Sequence, residues 1–225
     1  MSGTLYIVST PIGNLEDITL RAIRILKEID LIAAEDTRVT KKLLNHLNIN
    51  KRLISYFEYN KSTREGYLID LLKDGKNMAL VCDAGTPCIS DSGYLLIDSA
   101  YKNNIKVVSI PGPSSIIAAL SISGVNTDRF IFLGFLKKKS SKRRKELEKY
   151  KNEDKVIVFF ESPHRIIETL NDIKQVFENV YVVIAREITK KFEEVVRGSI
   201  DEVINFFLSK EILGEFCVIV KNVKK

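Results

Sequence analysis

Residues that hold metals or cross-link small folds are scarce in this chain. Its three cysteines, Cys82, Cys88 and Cys217, are odd in number, widely spaced and without a Cys-x-x-Cys pair, so a disulfide framework is excluded and reduced thiols are expected. Only two histidines occur, His46 and His164, in different segments; a His/Cys zinc site would need both to converge, and no metal is predicted. Long apolar runs are missing too. The longest, residues 156–160 and 180–185, fall far below the roughly 18 residues of a membrane helix. The start, Met1-Ser2-Gly3-Thr4, carries no basic segment before its first strand-like run, unlike a secretory signal. A cytoplasmic protein with no membrane partner is expected. Several catalytic signatures are also absent. There is no Gly-x-x-x-x-Gly-Lys-Ser/Thr, no Gly-x-Gly-x-x-Gly after a strand, and no Gly-x-Ser-x-Gly elbow or Cys/His dyad, which leaves P-loop, Rossmann and conventional nucleophilic chemistry unsupported.

What is present is an ordinary globular composition, 45% hydrophobic and 28% charged over 225 residues, enough for one large or two modest domains. The net charge of +6 leans towards an anionic partner. Most of that lean sits in one carboxylate-free block, Lys137-Lys138-Lys139-Ser140-Ser141-Lys142-Arg143-Arg144-Lys145. Such a block usually marks a solvated loop and helix start; its functional reading is contact with nucleic-acid phosphates.

The first half alternates apolar strand runs with helical spacing. Residues 4–9 read as a strand, followed by the turn-rich Thr10-Pro11-Ile12-Gly13-Asn14-Leu15-Glu16-Asp17 and a helix with Ala22, Ile25, Leu26 and Ile29 on one face and Asp17 near its start. Residues 30–34 form a short strand that delivers Glu35-Asp36-Thr37-Arg38, where Asp36 or Thr37 can cap the next helix. Further strands are predicted at 52–57, 78–82 and 105–110, with helices at 62–72, 94–101 and 116–123. The strand at 78–82 runs into Asp83-Ala84-Gly85-Thr86-Pro87-Cys88-Ile89-Ser90-Asp91, a loop of small, hydroxyl, acidic and turn-forming residues suited to a polar small molecule. Pro111-Gly112-Pro113-Ser114-Ser115 follows the next strand, placing two serines at a helix start, where free N–H groups attract anionic or carbonyl groups. The sequence therefore predicts an α/β domain with a mainly parallel sheet over residues 1–124, with Gly124-Val125-Asn126-Thr127-Asp128 as linker.

Residues 125–225 read as a second α/β domain with a mixed sheet. It opens with a strand at 130–135, then the basic block and a helix through Tyr150. A buried strand at 155–160 leads into Glu161-Ser162-Pro163-His164-Arg165, where Ser162 as N-cap and Pro163 at the first helical position predict a helix with His164 in its first turn. Strands at 180–184, 192–197 and 215–220 follow, and Ser199-Ile200-Asp201-Glu202 has capping-box spacing.

Six of these segments together resemble a known family. Pro11-Ile12-Gly13-Asn14-Leu15-Glu16-Asp17, Glu35-Asp36-Thr37-Arg38, Asp83-Ala84-Gly85-Thr86-Pro87-x-Ile89-Ser90-Asp91, Pro111-Gly112-Pro113-Ser114-Ser115, Phe160-Glu161-Ser162-Pro163-His164-Arg165 and Arg186-Glu187-Ile188-Thr189-Lys190 are similar, in order and over nearly the whole chain, to the ribosomal RNA small subunit methyltransferase I family of the tetrapyrrole methylase superfamily. Ser92 and Lys137 stand where that pattern has proline. The resemblance implies a two-domain tetrapyrrole-methylase-like fold, S-adenosylmethionine clasped between the domains, a homodimer, and 2′-O-methylation of a cytidine in the small-subunit (16S) ribosomal RNA or 30S subunit. By the same resemblance, Pro11, Gly13, Asn14, Asp83, Ala84, Gly85, Thr86, Pro87, Ile89, Ser90, Asp91, Ser114 and Ser115 should hold the cofactor. Lys190, Glu187, Glu35 and Asp36 are nominated to accept the ribose proton or to orient it, although Glu187 and Asp36 can equally serve as ion-pair partners of Arg186 and Arg38. Arg38, Lys138, Lys139, Lys142, Arg143, Arg144, His164 and Arg165 are nominated for RNA contact. Two alternatives stay open: a tetrapyrrole methyltransferase, disfavoured by the first loop and the basic block, and a non-catalytic RNA-binding assembly factor.

Overall fold

A computed structural model describes residues 1–57 and 61–223, and of residues 61–63 the backbone only. The chain divides into two compact units, Met1–Ser114 and Ser115–Lys225.

In the first unit, β1 (Thr4–Val8), β2 (Leu31–Ala34), β3 (Arg52–Ser55), β4 (Met78–Val81) and β5 (Lys106–Ile110) form one sheet in the order β3-β2-β4-β1-β5. Every pairing in it is parallel. Parallel strands are covered on both faces and so read as continuous apolar runs; β2 and β4 are buried at every position. Their side chains alternate. Leu5, Ile7, Leu31, Ala33, Met78 and Leu80 meet Leu68 and Leu72 of α3 (Lys61–Lys73) and Leu96 and Ala100 of α4 (Tyr94–Lys102). Val8, Ile32, Ala34, Ala79 and Val81 meet Ala22, Ile25 and Leu26 of α1 (Leu20–Glu28) and Leu44 of α2 (Thr37–His46). Thr19, not Asp17, caps α1, its Oγ1 accepting the Ala22 N–H at 3.1 Å, because residues 15–17 close a separate 3₁₀ turn first. The strand order has the consequence that matters. β4 and β5 flank β1, so the loops after all three leave the same edge side by side, at the switch point where open parallel sheets gather ligands.

The second unit starts with α5 (Ser115–Ile122), which sequence patterning placed in the first half. Its sheet runs β6-β7-β10-β8-β9, from β6 (Phe130–Phe135), β7 (Val156–Glu161), β8 (Val180–Arg186), β9 (Glu194–Ser199) and β10 (Phe216–Asn222). Only β6 and β7 are parallel; the other pairs are antiparallel, which makes the predicted mixed sheet. One face packs against α6 (Ser140–Glu148), α7 (Ile166–Val176) and α8 (Ile200–Leu208) through Leu147, Leu170, Ile173, Val203 and Phe207, and α5 packs against β10. The capping box at Ser199 and Glu202 forms as its spacing predicts. The start of α7 does not. Residues 163–165 form a turn closed by Arg165 N–H to Ser162 O at 3.1 Å, and the helix begins at Ile166, so His164 lies in the turn before it and not in its first turn.

Candidate functional site

The loops after β1, β4 and β5 are laced together by residues at strand ends. Thr10 and Gly85 exchange backbone hydrogen bonds of 2.9 and 3.1 Å as an isolated antiparallel bridge. Thr10 Oγ1 donates to Cys82 O at 3.1 Å, and Thr86 Oγ1 sits 2.9 Å from Ser9 Oγ and 3.4 Å from the Pro113 carbonyl oxygen. Such an approach needs small residues. A Cβ on Gly112 would come within 2.9 Å of Ser9 Cβ, and Gly85 stands at φ +83° with Ile12 against it. Ser9 and Thr10 are nearly inaccessible, 1% and 3% exposed, and were not among the sequence candidates; two hydroxyls ending an apolar strand are the signal that marks them.

Within this frame Pro11, Gly85 and Pro87 are buried, Thr86, Ser114 and Ser115 half-buried, and Gly13, Asp83, Ala84, Ile89, Ser90 and Asp91 exposed at the loop surface. Asn14 is engaged locally: its Oδ1 accepts the Glu16 N–H at 3.1 Å. The unit boundary falls between Ser114 and Ser115. Left-handed backbone at Cys88 (φ 72°) and Ser90 (φ 65°), neither a glycine, holds the 83–91 loop in a tight shape.

Carboxylates gather at this edge. Asp36 N–H donates to Asp83 Oδ1 at 3.0 Å and Asp83 N–H reaches Glu35 Oε2 at 3.4 Å, so the ends of β2 and β4 are tied through acidic side chains. Burial, then the charge of Asp91, raises the Glu35 pKa above its ordinary value, with Asp83 and Asp36 adding to it. Burial likewise raises Asp91 and Asp83. Asp36 behaves differently. Its carboxylate grips the Arg38 guanidinium, at 2.6 Å from Nη2, and accepts the Arg38 backbone N–H as the cap of α2, which pulls its pKa down to about 2. Cys82 and Cys88 are pushed the other way, chiefly by burial, Cys88 to about 11. They are inert thiols at neutral pH.

In the second unit, the segment after β8 turns sharply, with Glu187 at φ 51° and Thr189 at φ 66°. Lys190 Nζ lies 2.9 Å from both Glu187 Oε1 and Glu215 Oε2, and Glu187 Oε1 also accepts the Glu215 N–H at 2.9 Å. Burial by itself would depress Lys190 and raise Glu187. The opposite charges and hydrogen bonds prevail, holding Lys190 above and Glu187 below their ordinary values. Arg186 pairs with Glu194 rather than with Glu187. Gly214 makes room: a Cβ there would stand 2.5 Å from Glu187 Cγ.

The basic nominees separate. Lys138, Lys139, Lys142, His164 and Arg38 are exposed. Arg143 is 0% exposed and cannot touch RNA. Its guanidinium meets Asp172 at 2.6 and 2.7 Å and Glu168 at 3.0 Å, and donates to the Lys138 carbonyl oxygen at 3.2 Å. The reason is helical spacing: Arg143 shares the buried side of α6 with Leu147. Arg144 bonds Gln175 and lies 3.8 Å from Asp172, while Arg165 pairs with buried Glu161 at 2.5 Å and donates to Leu136 O. Both are mainly braces.

A family model for tetrapyrrole (corrin/porphyrin) methylases matches residues 4–204. A ribosomal RNA small subunit methyltransferase I from Halalkalibacterium halodurans is 52% identical over 219 residues, covering 97% of this chain and 76% of that protein. One of the same name from Thermotoga maritima is 48% identical, covering 96% of this chain and 97% of that one. Among solved structures, a cobalt precorrin-4 methyltransferase superposes with a TM-score of 0.72 at 17% identity, over 97% of this chain and 94% of that one, a likeness of fold alone. The chain belongs to the tetrapyrrole methylase family and, within it, to the ribosomal RNA small subunit methyltransferase I family.

Proposed function

We propose that the chain transfers a methyl group from S-adenosylmethionine to the ribose 2′-oxygen of a cytidine in small-subunit ribosomal RNA. The observation that carries the cofactor is the set of carboxylates at the carboxyl edge of the first sheet, Glu35 after β2 and Asp83 and Asp91 on the laced loop after β4, all raised in pKa. A ligand bearing a sulfonium and an ammonium suits such a site, because opposite charge relieves both the desolvation and the mutual repulsion of the acids. Asp83, Asp91 and the backbone of residues 84–86 and 111–114 would hold it, and Thr86 with Ser9 keeps those loops in register. Bound there, S-adenosylmethionine supplies an electrophilic methyl group.

The chain's own part is to place and prepare the hydroxyl. Positioning supplies most of the acceleration when two reactants are held in line with water excluded. Glu35 is assigned to take the ribose proton, since Asp83 and Asp91 are assigned to the cofactor and its raised pKa makes it a stronger base than an ordinary glutamate. Lys190, kept protonated by Glu187 and Glu215, serves as a fixed positive charge rather than a base. Glu187 orients Lys190, and Asp36 orients Arg38. Exposed Lys138, Lys139 and Lys142 meet RNA phosphates.

The test is transfer of labelled methyl from S-adenosylmethionine to small ribosomal subunits lacking their native methylation, read by nucleoside mass spectrometry. The expected product is 2′-O-methylcytidine. Methylation of a tetrapyrrole instead, or cofactor binding with no transfer to RNA, overturns the reading.

A further inference from the structure

At the opposite margin of the first sheet from β5 lies a second polar recess, outside the loops described above. β3 is the edge strand there, and Arg52, Leu53, Ile54 and Ser55 line a cavity of about 320 Å³ together with Arg64 and Tyr67 of α3. The geometry follows from two periodicities. Arg52 and Ile54 point to the α3 face of the strand, and Arg64 and Tyr67, three positions apart, share one side of the helix. Tyr67 Oη accepts a hydrogen bond from Arg52 Nη2 at 2.9 Å, which fixes the guanidinium over the recess and leaves its other N–H groups without a partner among the described residues. Among the described residues neither Arg52 nor Arg64 is in an ion pair, unlike Arg24, Arg38, Arg143, Arg144, Arg165 and Arg186.

Two guanidinium forks with no carboxylate partner among the described residues, one of them held by a tyrosine hydroxyl, are built for an oxyanion with several acceptor oxygens. We infer that this recess is a phosphate site that seats a backbone phosphodiester of the RNA substrate. The inference rests on RNA being the substrate. The recess lies along β3, which has no further strand beside it among the described residues, so a nucleic-acid strand can run past it, as an internal phosphodiester requires and a terminal group does not. It also leads towards the reacting edge: β3 runs parallel to β2 with Ser55 level with Ala34, next to Glu35, and the three steps from Arg52 to Ser55 span about 10 Å. A phosphate held at Arg52 would thus lie a short distance along the sheet from the carboxylates.

The test compares wild type with R52Q/R64Q and R52K/R64K. Both arginines are exposed, so Tm should stay near that of wild type. For R52Q/R64Q, RNA affinity at moderate salt should fall about tenfold, and the plot of log affinity against log salt should flatten by about 1. KM for RNA should rise with kcat within about twofold and S-adenosylmethionine affinity unchanged, as expected for lost uniform binding. R52K/R64K should restore the slope but only part of the affinity, because lysine keeps the charge without the fork. Identical salt slope and KM in wild type and R52Q/R64Q, with wild type methylating RNA, would overturn this site and leave the proposed function standing. If inorganic phosphate at matched ionic strength raises the Tm of wild type but not of R52Q/R64Q while RNA parameters coincide, the recess takes free phosphate and the phosphodiester is overturned. Wild type that neither binds nor methylates RNA removes the substrate reading and this one with it.

Discussion

At the carboxyl edge of the first sheet, Glu35, Asp83 and Asp91 form no ion pair among the described residues and are pushed towards protonation, the charge of Arg38 offsetting only part of the push on Asp83. After β8 in the second unit, Glu187 and Glu215 close on Lys190, and Asp172 and Glu168 of α7 close on Arg143 of α6. In sequence both kinds of cluster look alike, as charged residues following a strand or forming a run. In the fold they have opposite thermodynamic standing. The first leaves charge to be satisfied by something that binds; the second satisfies it internally and spends it on shape.

Breaking the buried pair should have the largest effect. Arg143→Met or Asp172→Ala leaves one charge stranded in the interior, and each should lower the urea-derived unfolding free energy by about 3–5 kcal/mol, whereas R143M with D172L should recover much of that loss. A double variant no better than the singles would mean that packing, not charge, dominates. Next comes Lys190→Ala. With a preorganised positive charge removed, kcat should drop about 10²-fold with little change in cofactor affinity; an unaltered kcat would reduce Lys190 to a brace. Relieving the unpaired cluster should do the reverse of breaking a pair. Asp91→Asn should weaken S-adenosylmethionine binding about tenfold, the scale of one charge-assisted hydrogen bond, without lowering Tm, since it removes like-charge repulsion. A stability loss with unchanged binding would place Asp91 in the structural class.

The smallest effect is in pH dependence. Because the folded pKa of Glu35 is raised above its ordinary 4.5, its share of stability is full below that value and is lost as pH rises through the folded pKa. The Glu35→Gln variant should therefore show a flatter denaturation midpoint across that window. Asp36 has the opposite sign: its contribution is present above its ordinary 3.8 and is lost as pH falls through about 2. Cofactor binding, measured calorimetrically, should weaken on acidification as Glu35 and Asp91 protonate.

The parallel sheet was legible because β2 and β4 at its centre are unbroken apolar runs, and its loops because Gly, Pro and hydroxyl residues closely follow the strands. The Ser199–Glu202 capping box was legible because both partners lie within one turn. What stayed hidden depends on distance. Arg143 sits inside a run of nine basic and hydroxyl residues, and only a partner 29 positions away, Asp172, shows that it faces inwards. The delayed start of α7 escaped because Ser162 and Pro163 carry the chemistry of a helix start, while Arg165 is claimed by Glu161 on β7. Ser9 and Thr10 were passed over as strand ends because their partners, Thr86 and Gly85, come from another loop.

The backbone at Glu187 and Thr189 carries one more lesson. Side chains with a Cβ resist the left-handed region by about 1–2 kcal/mol per residue, and Thr189, being β-branched, is among those least suited to it. Its hydroxyl, moreover, is buried without a hydrogen-bond partner among the described residues. Glycine at position 187 would relax the turn. It would also remove the carboxylate that holds Lys190. The segment is thus a place where backbone strain is accepted for an arranged charge, and easing the turn at 187 would disarm it.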